Sequence, residues 1–247
     1  MEKMLIRNPI SRYRWPTVVA VCLLTAQATG SATTGTESKF LFPEERHENI
    51  GELVTQFIQK SHYQHISVDD ELSSRVMDTY IEFLDRNRMY LLQSDIDYFD
   101  KYRHQLDDVV KCKPLDPVFE IYEIYQTRVS ERLTFALQQL ETEPDYSTDI
   151  EYQFDRSEAP WAQTTEELDE IWGRRVINDA LNLALESEPW EKIQDVLTSR
   201  YEGFIKRLDQ VNNDDVFERF MNAFSHTLDP HSSYLSPRNS EDYRIQM

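Results

Sequence analysis

Glycine is scarce in this chain, with only five residues among 247. Tight β-hairpin turns use backbone conformations with positive φ that glycine supplies most easily, so this composition argues against a β-sandwich. The sequence also contains neither G-x-G-x-x-G nor G-x-x-x-x-G-K, the glycine patterns that hold nucleotide phosphates. We therefore expect a fold without many hairpins, and we predict no nucleotide cofactor.

Cysteine is rarer still, since the chain contains only Cys22 and Cys112. Cys22 lies inside an apolar run and follows Val21, whereas lipoprotein signals place a small residue there, so we reject lipidation. If the N-terminal segment is removed, Cys112 alone cannot form an intrachain disulfide, even in an oxidising compartment. The folded chain must then be stabilised by its core.

Basic residues are outnumbered, with 26 Lys and Arg against 45 Asp and Glu and a net charge of −19. Such a surface opposes nucleic-acid phosphates and anionic lipid headgroups, and it favours basic or neutral partners. We therefore predict no nucleic-acid partner. A simpler role for the acidity, keeping an exported helical domain soluble, is also open.

Residues 1–28 have the order of a cleavable secretory signal peptide. Four basic residues precede an apolar run at 15–24, and Ala26-Gln27-Ala28 follows as a small-residue cleavage site. The run is shorter than the roughly 20 residues that cross a bilayer, so we expect no stable membrane insertion after cleavage. An uncleaved anchor is the alternative. Residues 29–41 are predicted to be a disordered lead.

The chain is rich in helical periodicity. Apolar residues recur at helical spacing in seven segments, which are 44–60, 69–86, 94–110, 117–141, 164–185, 190–208 and 216–228. Ser94 with Asp97 and Thr164 with Glu167 have the spacing of helix caps. No strand pattern is convincing, so we predict an all-α fold. No heptad repeat persists, so we expect the helices to pack at mixed crossing angles. Residues 42–228 would form a single domain of about seven packed amphipathic helices.

One long stretch, residues 142–163, shows no sustained period. Loops of this length in compact domains are usually functional or ordered by packing. Four aromatic residues favour packing, and we predict a long ordered loop; they are Tyr146, Tyr152, Phe154 and Trp161. The same stretch is the alternative position for a domain boundary.

Residues 229–247 have the composition of a connector between folded units. Two prolines cannot donate backbone hydrogen bonds, and several serines compete with the backbone, so the preceding helix should end here. We expect the hydroxyls of Ser232 and Ser233 to satisfy backbone donors in a turn, and Tyr234 and Leu235 to dock on the last helix. No capping glycine closes the segment, so we expect a larger protein to continue beyond it.

Two histidines, His62 and His65, have a spacing that could place both imidazoles on one helix face, as a metal site requires. No Cys, Asp or Glu in the immediate sequence completes a site, and H-E-x-x-H is absent. We predict a structural role and assign no metal ligand. A metal-dependent hydrolase is the less favoured hypothesis.

The last 22 residues also contain every residue type of a Ser-His-Asp triad, in His226, Asp229, His231, Ser232 and Ser233. A triad is defined by its geometry, and crowding within a few residues argues against one. We therefore assign no catalytic residue.

Three carboxylate clusters, at 69–71, 107–108 and 214–215, raise the question of calcium. None has EF-hand spacing, and most precede helices, where the N-terminus favours negative charge. We predict solvated helix caps. Trp161 and Trp172 could line a peptide groove, but core packing is the preferred interpretation for both.

Several blocks resemble, in order, the N-terminal helical region of tail-specific (carboxyl-terminal processing) proteases. Ordered blocks are more specific than one short motif, and together they span roughly residues 40 to 247. They are Ser61-His-Tyr-Gln64, Phe154-Asp-Arg-Ser157, Ala159-Pro-Trp161, Asp215-Val-Phe217, Met221-Asn-Ala-Phe224 and Leu228-Asp-Pro-His-Ser-Ser-Tyr-Leu-Ser-Pro-Arg-Asn239. The last block resembles the stretch that precedes the family's PDZ domain.

The resemblance implies a parent activity, periplasmic endoproteolysis of proteins engaged through their C-termini. It places the serine nucleophile and the lysine base in a domain beyond the PDZ domain, so we expect this chain to be inactive alone and to act in scaffolding and recognition. Implied partners are protease substrates or a lipoprotein adaptor. The alternative is a free-standing exported binding protein that docks an envelope partner or adaptor.

Overall fold

A computed structural model describes residues 40–61, 67–111, 114–147 and 149–246. Within these ranges the chain is helical and has no strand, and only an isolated bridge pairs Leu92 with Ala162. The all-α prediction is confirmed. The predicted signal peptide and the metal hypothesis for His62 and His65 fall outside the described residues.

The described residues form nine α-helices and one 3-10 helix at Asp100–Tyr102, in one compact unit. The α-helices are α1 Glu45–Ser61, α2 Asp70–Asp85, α3 Gln93–Phe99, α4 Leu106–Lys111, α5 Asp116–Gln139, α6 Thr165–Ala184, α7 Trp190–Asp209, α8 Asn213–Leu228 and α9 Pro237–Gln246.

The first apolar cluster lies between α2 and α8, and we call it the α2–α8 core. Tyr80 meets Phe220 edge-on with ring centroids 5.6 Å apart, and its hydroxyl donates to the Val118 carbonyl at 3.3 Å. Burying a side chain such as Phe220 contributes about 1.5–3 kcal/mol. Helices α1 and α4 and the first half of α5 complete this cluster.

The second cluster, the α6–α7 core, lies between α6, α7 and the second half of α5. Trp172 is fully buried in it, and its indole nitrogen donates to the Met89 carbonyl at 2.7 Å. Tyr201 is equally buried and donates to Asp179 at 2.8 Å. Because a buried polar group is costly without a partner, these two bonds allow large amphipathic rings to pack in the core.

The helix predicted over 94–110 is broken in the structure. It consists of α3, the 3-10 helix and α4, and α3 begins at Gln93. The Ser73 hydroxyl, on α2, donates to the Arg103 carbonyl at 2.7 Å and accepts from the Leu106 amide at 2.8 Å. These tertiary bonds replace part of a continuous helix ladder, which the local sequence pattern does not reveal.

The two predicted helix caps have different outcomes. Ser94 is not the cap of α3; the Asp95 carboxylate accepts from the Leu92 amide at 3.0 Å instead. Thr164 does cap α6, since its hydroxyl accepts from the Glu167 amide at 3.3 Å. The reciprocal bond of a capping box is displaced by one residue, because the Glu167 carboxylate accepts from Gln163.

Candidate functional site

The turn after α2 is organised by one buried carboxylate. Asp85 is only 3% exposed, and its oxygens accept from the amides of Met89, Tyr90 and Leu91 at 2.8, 2.8 and 2.9 Å. Burial raises the pKa of Asp85, while the three N–H donors act in the opposite direction. A desolvated carboxylate and three amide donors therefore depend on one another.

The same turn holds the long loop at 142–163. The Arg88 guanidinium lies 5.1 Å from the centre of the Trp161 ring and donates to the Ala159 carbonyl. The Gln93 amide donates to the Ala162 carbonyl at 2.8 Å. Contacts of these kinds fix the C-terminal half of the loop against the turn after α2 and the start of α3, so the prediction of an ordered loop is confirmed there.

The aromatic residues of the loop do not all pack as predicted. Tyr146 packs against the α6–α7 core and Trp161 against the α2–α8 core, each partly buried. Phe154 is 70% exposed and meets the Tyr152 ring at 4.7 Å, so its predicted burial is wrong. Trp172 is fully buried, so the prediction of core packing is confirmed for this residue.

Helix α1 is joined to the start of α8 by a buried histidine. His47 Nδ1 accepts from the Glu44 amide at 3.2 Å, so the other ring nitrogen carries the proton in the neutral ring and donates to Asp214 at 2.8 Å. The ring also stacks on Phe217 at 4.7 Å. A hydrogen bond and a ring contact thus hold the two helices together.

The carboxylate clusters are only partly solvated caps. Asp69 caps α2 by accepting from the Leu72 amide at 3.1 Å, as predicted. Asn212 is the N-cap of α8, and Asp215 completes its capping box by accepting from the Asn212 amide at 3.0 Å. Asp214 accepts from Arg46 at 2.9 Å as well as from His47, and Asp107 is 4% exposed and pairs with Lys111 at 2.7 Å. The prediction of a solvated cap is therefore wrong for Asp107. Asp214 lies in the first turn of α8 and is 37% exposed, which agrees with the prediction, but it also joins α8 to α1. These two carboxylates join elements or sit inside the fold.

Several polar contacts hold the connector along α8. The Tyr234 amide donates to Asn222 Oδ1 at 2.8 Å. Glu218 accepts from the Ser236 amide at 3.2 Å and from the Asn239 side-chain amide at 2.7 and 2.9 Å. The segment is thus held on two successive turns of α8 and then continues as α9.

The docking prediction for this segment is half right. The Tyr234 ring meets Phe217 of α8 edge-on at 5.5 Å, as predicted. Leu235 is 42% exposed, so its predicted burial is wrong. The Leu235 side chain lines an open space beside α2 and α8 instead.

The serine and histidine residues near the end of α8 form a turn. Asp229 accepts from the His231 amide at 3.1 Å and from the Ser232 hydroxyl at 3.0 Å. The carboxylate, and not the serine hydroxyl, satisfies the backbone donor, which corrects our expectation for Ser232. The His226 ring meets Phe83 edge-on at 5.3 Å. These contacts provide no pairing of a nucleophile with a base among the described residues.

Two properties of the described ranges bear on membrane insertion and metal binding. None of their helices has both the length and the apolar character that crossing a membrane requires. In the same residues, no group of three or more His, Cys, Asp and Glu is placed to hold a metal ion.

Comparison with known proteins identifies the family. A family model described as the tail specific protease N-terminal domain matches residues 54–238. The tail-specific protease of Haemophilus influenzae is 40% identical to the chain over 190 residues, which cover 76% of this chain and 27% of that protein. The chain thus spans about a quarter of the length of this curated relative. The resemblance drawn from the ordered sequence blocks is confirmed, and the chain belongs to the family of tail-specific protease N-terminal domains.

Proposed function

We propose that this chain is the accessory and scaffolding domain of a periplasmic tail-specific serine endopeptidase, and that the catalytic serine and lysine lie outside it. The family membership and the name of the curated relative support the parent activity. The 27% coverage of that relative leaves most of such an enzyme outside the region of similarity. Location in the periplasm rests on the predicted signal peptide.

The observation that best supports a scaffolding role is the attachment of residues 234–239 to α8. Glu218 and Asn222 fix the backbone there by hydrogen bonds of 2.7–3.2 Å. In a protein as long as the curated relative, a domain following this segment would start from a defined position on the helical domain. Substrates or an adaptor would then meet the protease in a fixed geometry.

The first test concerns catalysis. Purified to homogeneity, the 247-residue chain is expected to show no cleavage of an unfolded fluorescent casein above buffer, because the proposed nucleophile and base are absent from it. A chain in which Ser232 and Ser233 are both changed to alanine serves as the control and should give the same baseline. Cleavage that survives repeated purification and is lost in the control would place catalysis in this chain and contradict the proposal.

The second test concerns the scaffold. Changing Glu218 to alanine removes three hydrogen bonds to residues 236 and 239. Hydrogen bonds to charged groups contribute about 1.5–3 kcal/mol, so local opening should become at least about tenfold more frequent. Tryptic cleavage after the exposed Arg238, followed by mass spectrometry, is expected to accelerate by that factor.

The matched control for this test is Glu202→Ala on α7. The Glu202 side chain is 52% exposed and makes only a long ion pair, 4.0 Å from Lys206. It should leave cleavage after Arg238 unchanged, because surface pairs of this kind contribute little. Equal cleavage rates for the two variants would mean that Glu218 does not hold the segment, and the scaffolding proposal would lose its structural basis.

A further inference from the structure

We propose that the groove between α2, α8 and the connector binds an extended peptide in which an aspartate or glutamate neighbours a large apolar side chain. The groove has a volume of about 600 Å³, within the usual range of roughly 300–1,000 Å³ for ligand pockets. This inference goes beyond the proposed function, since binding requires neither proteolysis nor a following domain.

The groove offers apolar surface to a ligand. Phe83 on α2 is 41% exposed and Leu235 on the connector is 42% exposed, and both line it. The His226 ring supports Phe83 edge-on at 5.3 Å. Single exposed apolar residues are ordinary, but two that face one concave space provide a place for a partner's side chain.

The groove also carries positive charge on an acidic protein. Arg86 and Arg219 line it together with one carboxylate, that of Glu82. Arg86 is 75% exposed and its Nε lies 3.8 Å from Glu82, a weak pair, and no ion pair involves the exposed Arg219 among the described residues. Guanidinium groups bind carboxylates through paired hydrogen bonds. Two guanidinium groups and one carboxylate give the groove a local positive charge on a chain of net charge −19, which favours an acidic ligand here.

Polar groups suited to a peptide backbone complete the groove. Asn222 uses its Oδ1 to accept from Tyr234, and its amide nitrogen has no hydrogen-bond partner within the described part of the chain. The Ser233 hydroxyl also lacks one there and lines the same space. A peptide carbonyl beside these donors would gain the hydrogen bonds that an apolar groove alone cannot supply.

Apolar side chains beside two arginines suit a peptide that has one or two carboxylates next to apolar groups. A nucleic acid or an anionic membrane has a dense array of charges, which the acidic surface around the groove opposes. The probe is a fluorescein-labelled peptide, Ser-Gly-Leu-Glu-Phe-Glu-Leu-Gly-Ser, with a comparison peptide in which both Glu are Gln. Fluorescence anisotropy with the 247-residue chain is expected to give a Kd below about 100 μM for the acidic peptide. The Gln peptide should bind at least about tenfold more weakly, because the arginine–carboxylate pairs are lost.

Two variants locate the binding. Arg219→Glu should weaken the acidic peptide by at least about tenfold, because a pair becomes a repulsion. Arg200→Glu, at an exposed position of α7 outside the groove, makes the same charge change and should leave binding within about twofold. Thermal melts should be equal for both variants, which separates lost binding from lost folding.

Three results of the binding assay would overturn the proposal. They are failure of the acidic peptide to bind, equal affinity for the acidic and Gln peptides, and equal effects of Arg219→Glu and Arg200→Glu. Sedimentation gives a further test. If it shows that the chain self-associates and that Arg219→Glu abolishes this, the groove binds a second copy of the chain, and the peptide-binding proposal is overturned. Because no protease assay is involved, these outcomes are independent of the test of the proposed function.

Discussion

Replacing Asp85 by alanine is expected to destabilise the domain by about 4 kcal/mol in urea unfolding at neutral pH. The carboxylate is the shared acceptor for the amides of residues 89–91, at 2.8–2.9 Å in a site that is 3% exposed. Each buried donor left without a partner costs roughly 1–3 kcal/mol. The expected loss is therefore a large fraction of the stability of a typical domain, which is about 5–15 kcal/mol.

Two companion variants make this result interpretable. Asp85→Asn keeps one carbonyl oxygen but turns an NH₂ group towards the amide donors, so a smaller loss of about 2 kcal/mol is expected. Asp97→Ala, at an exposed position on α3, should stay within about 0.5 kcal/mol. If the alanine variant does not fold, the asparagine variant provides the measurement. A loss below about 1 kcal/mol for Asp85→Ala would show that water or a rearranged turn replaces the carboxylate.

The second large effect is expected at His47. Its replacement by alanine removes the ring that stacks on Phe217 at 4.7 Å, and it leaves the Glu44 amide and Asp214 without their shared partner. A cavity and a lost buried hydrogen bond together should destabilise the domain by about 2–4 kcal/mol. Because the contact joins α1 to α8, amide hydrogen exchange in α1 should accelerate more than exchange in α6 and α7.

His104 provides the matched control for this prediction. It is exposed, and its ring nitrogen lies 3.4 Å from the Asp70 carbonyl. His104→Ala should therefore change stability by no more than about 0.5 kcal/mol. If exchange in α1 accelerates no more than exchange in α6 and α7 in His47→Ala, the contact does not hold α1 specifically, which would contradict the role given to this histidine.

Helical periodicity was enough to predict the fold class and most helix positions, because the spacing of apolar residues along a helix is a local sequence property. It failed where the neighbouring helices cover a narrower face of a helix than its apolar residues occupy. On α1 the stripe includes Leu53 and Phe57, yet each is 68% exposed, while His47 and Thr55 face the core. The pattern identifies which residues are apolar, but it does not show how wide a face the neighbouring helices cover.

The residues that organise the candidate sites were not recognised from the sequence. His47 and Asp214 lie 167 positions apart, and no periodicity relates them. Asp85 reaches amides four to six residues ahead, beyond the range of the helix caps that were considered. The groove depends on Asn222 holding Tyr234 twelve residues away. Single polar residues that act over such distances leave no repeated signal in one sequence.

Helix α5 has a consequence for how the domain unfolds. Its two halves belong to the two apolar cores, and the Tyr125 ring packs against both, 5.8 Å from Tyr122 and 5.9 Å from Tyr90. Loss of either core exposes one side of α5 and weakens the support of the other. Heat or denaturant should therefore disrupt the two cores together, as one cooperative transition in which fluorescence and circular dichroism change at the same midpoint.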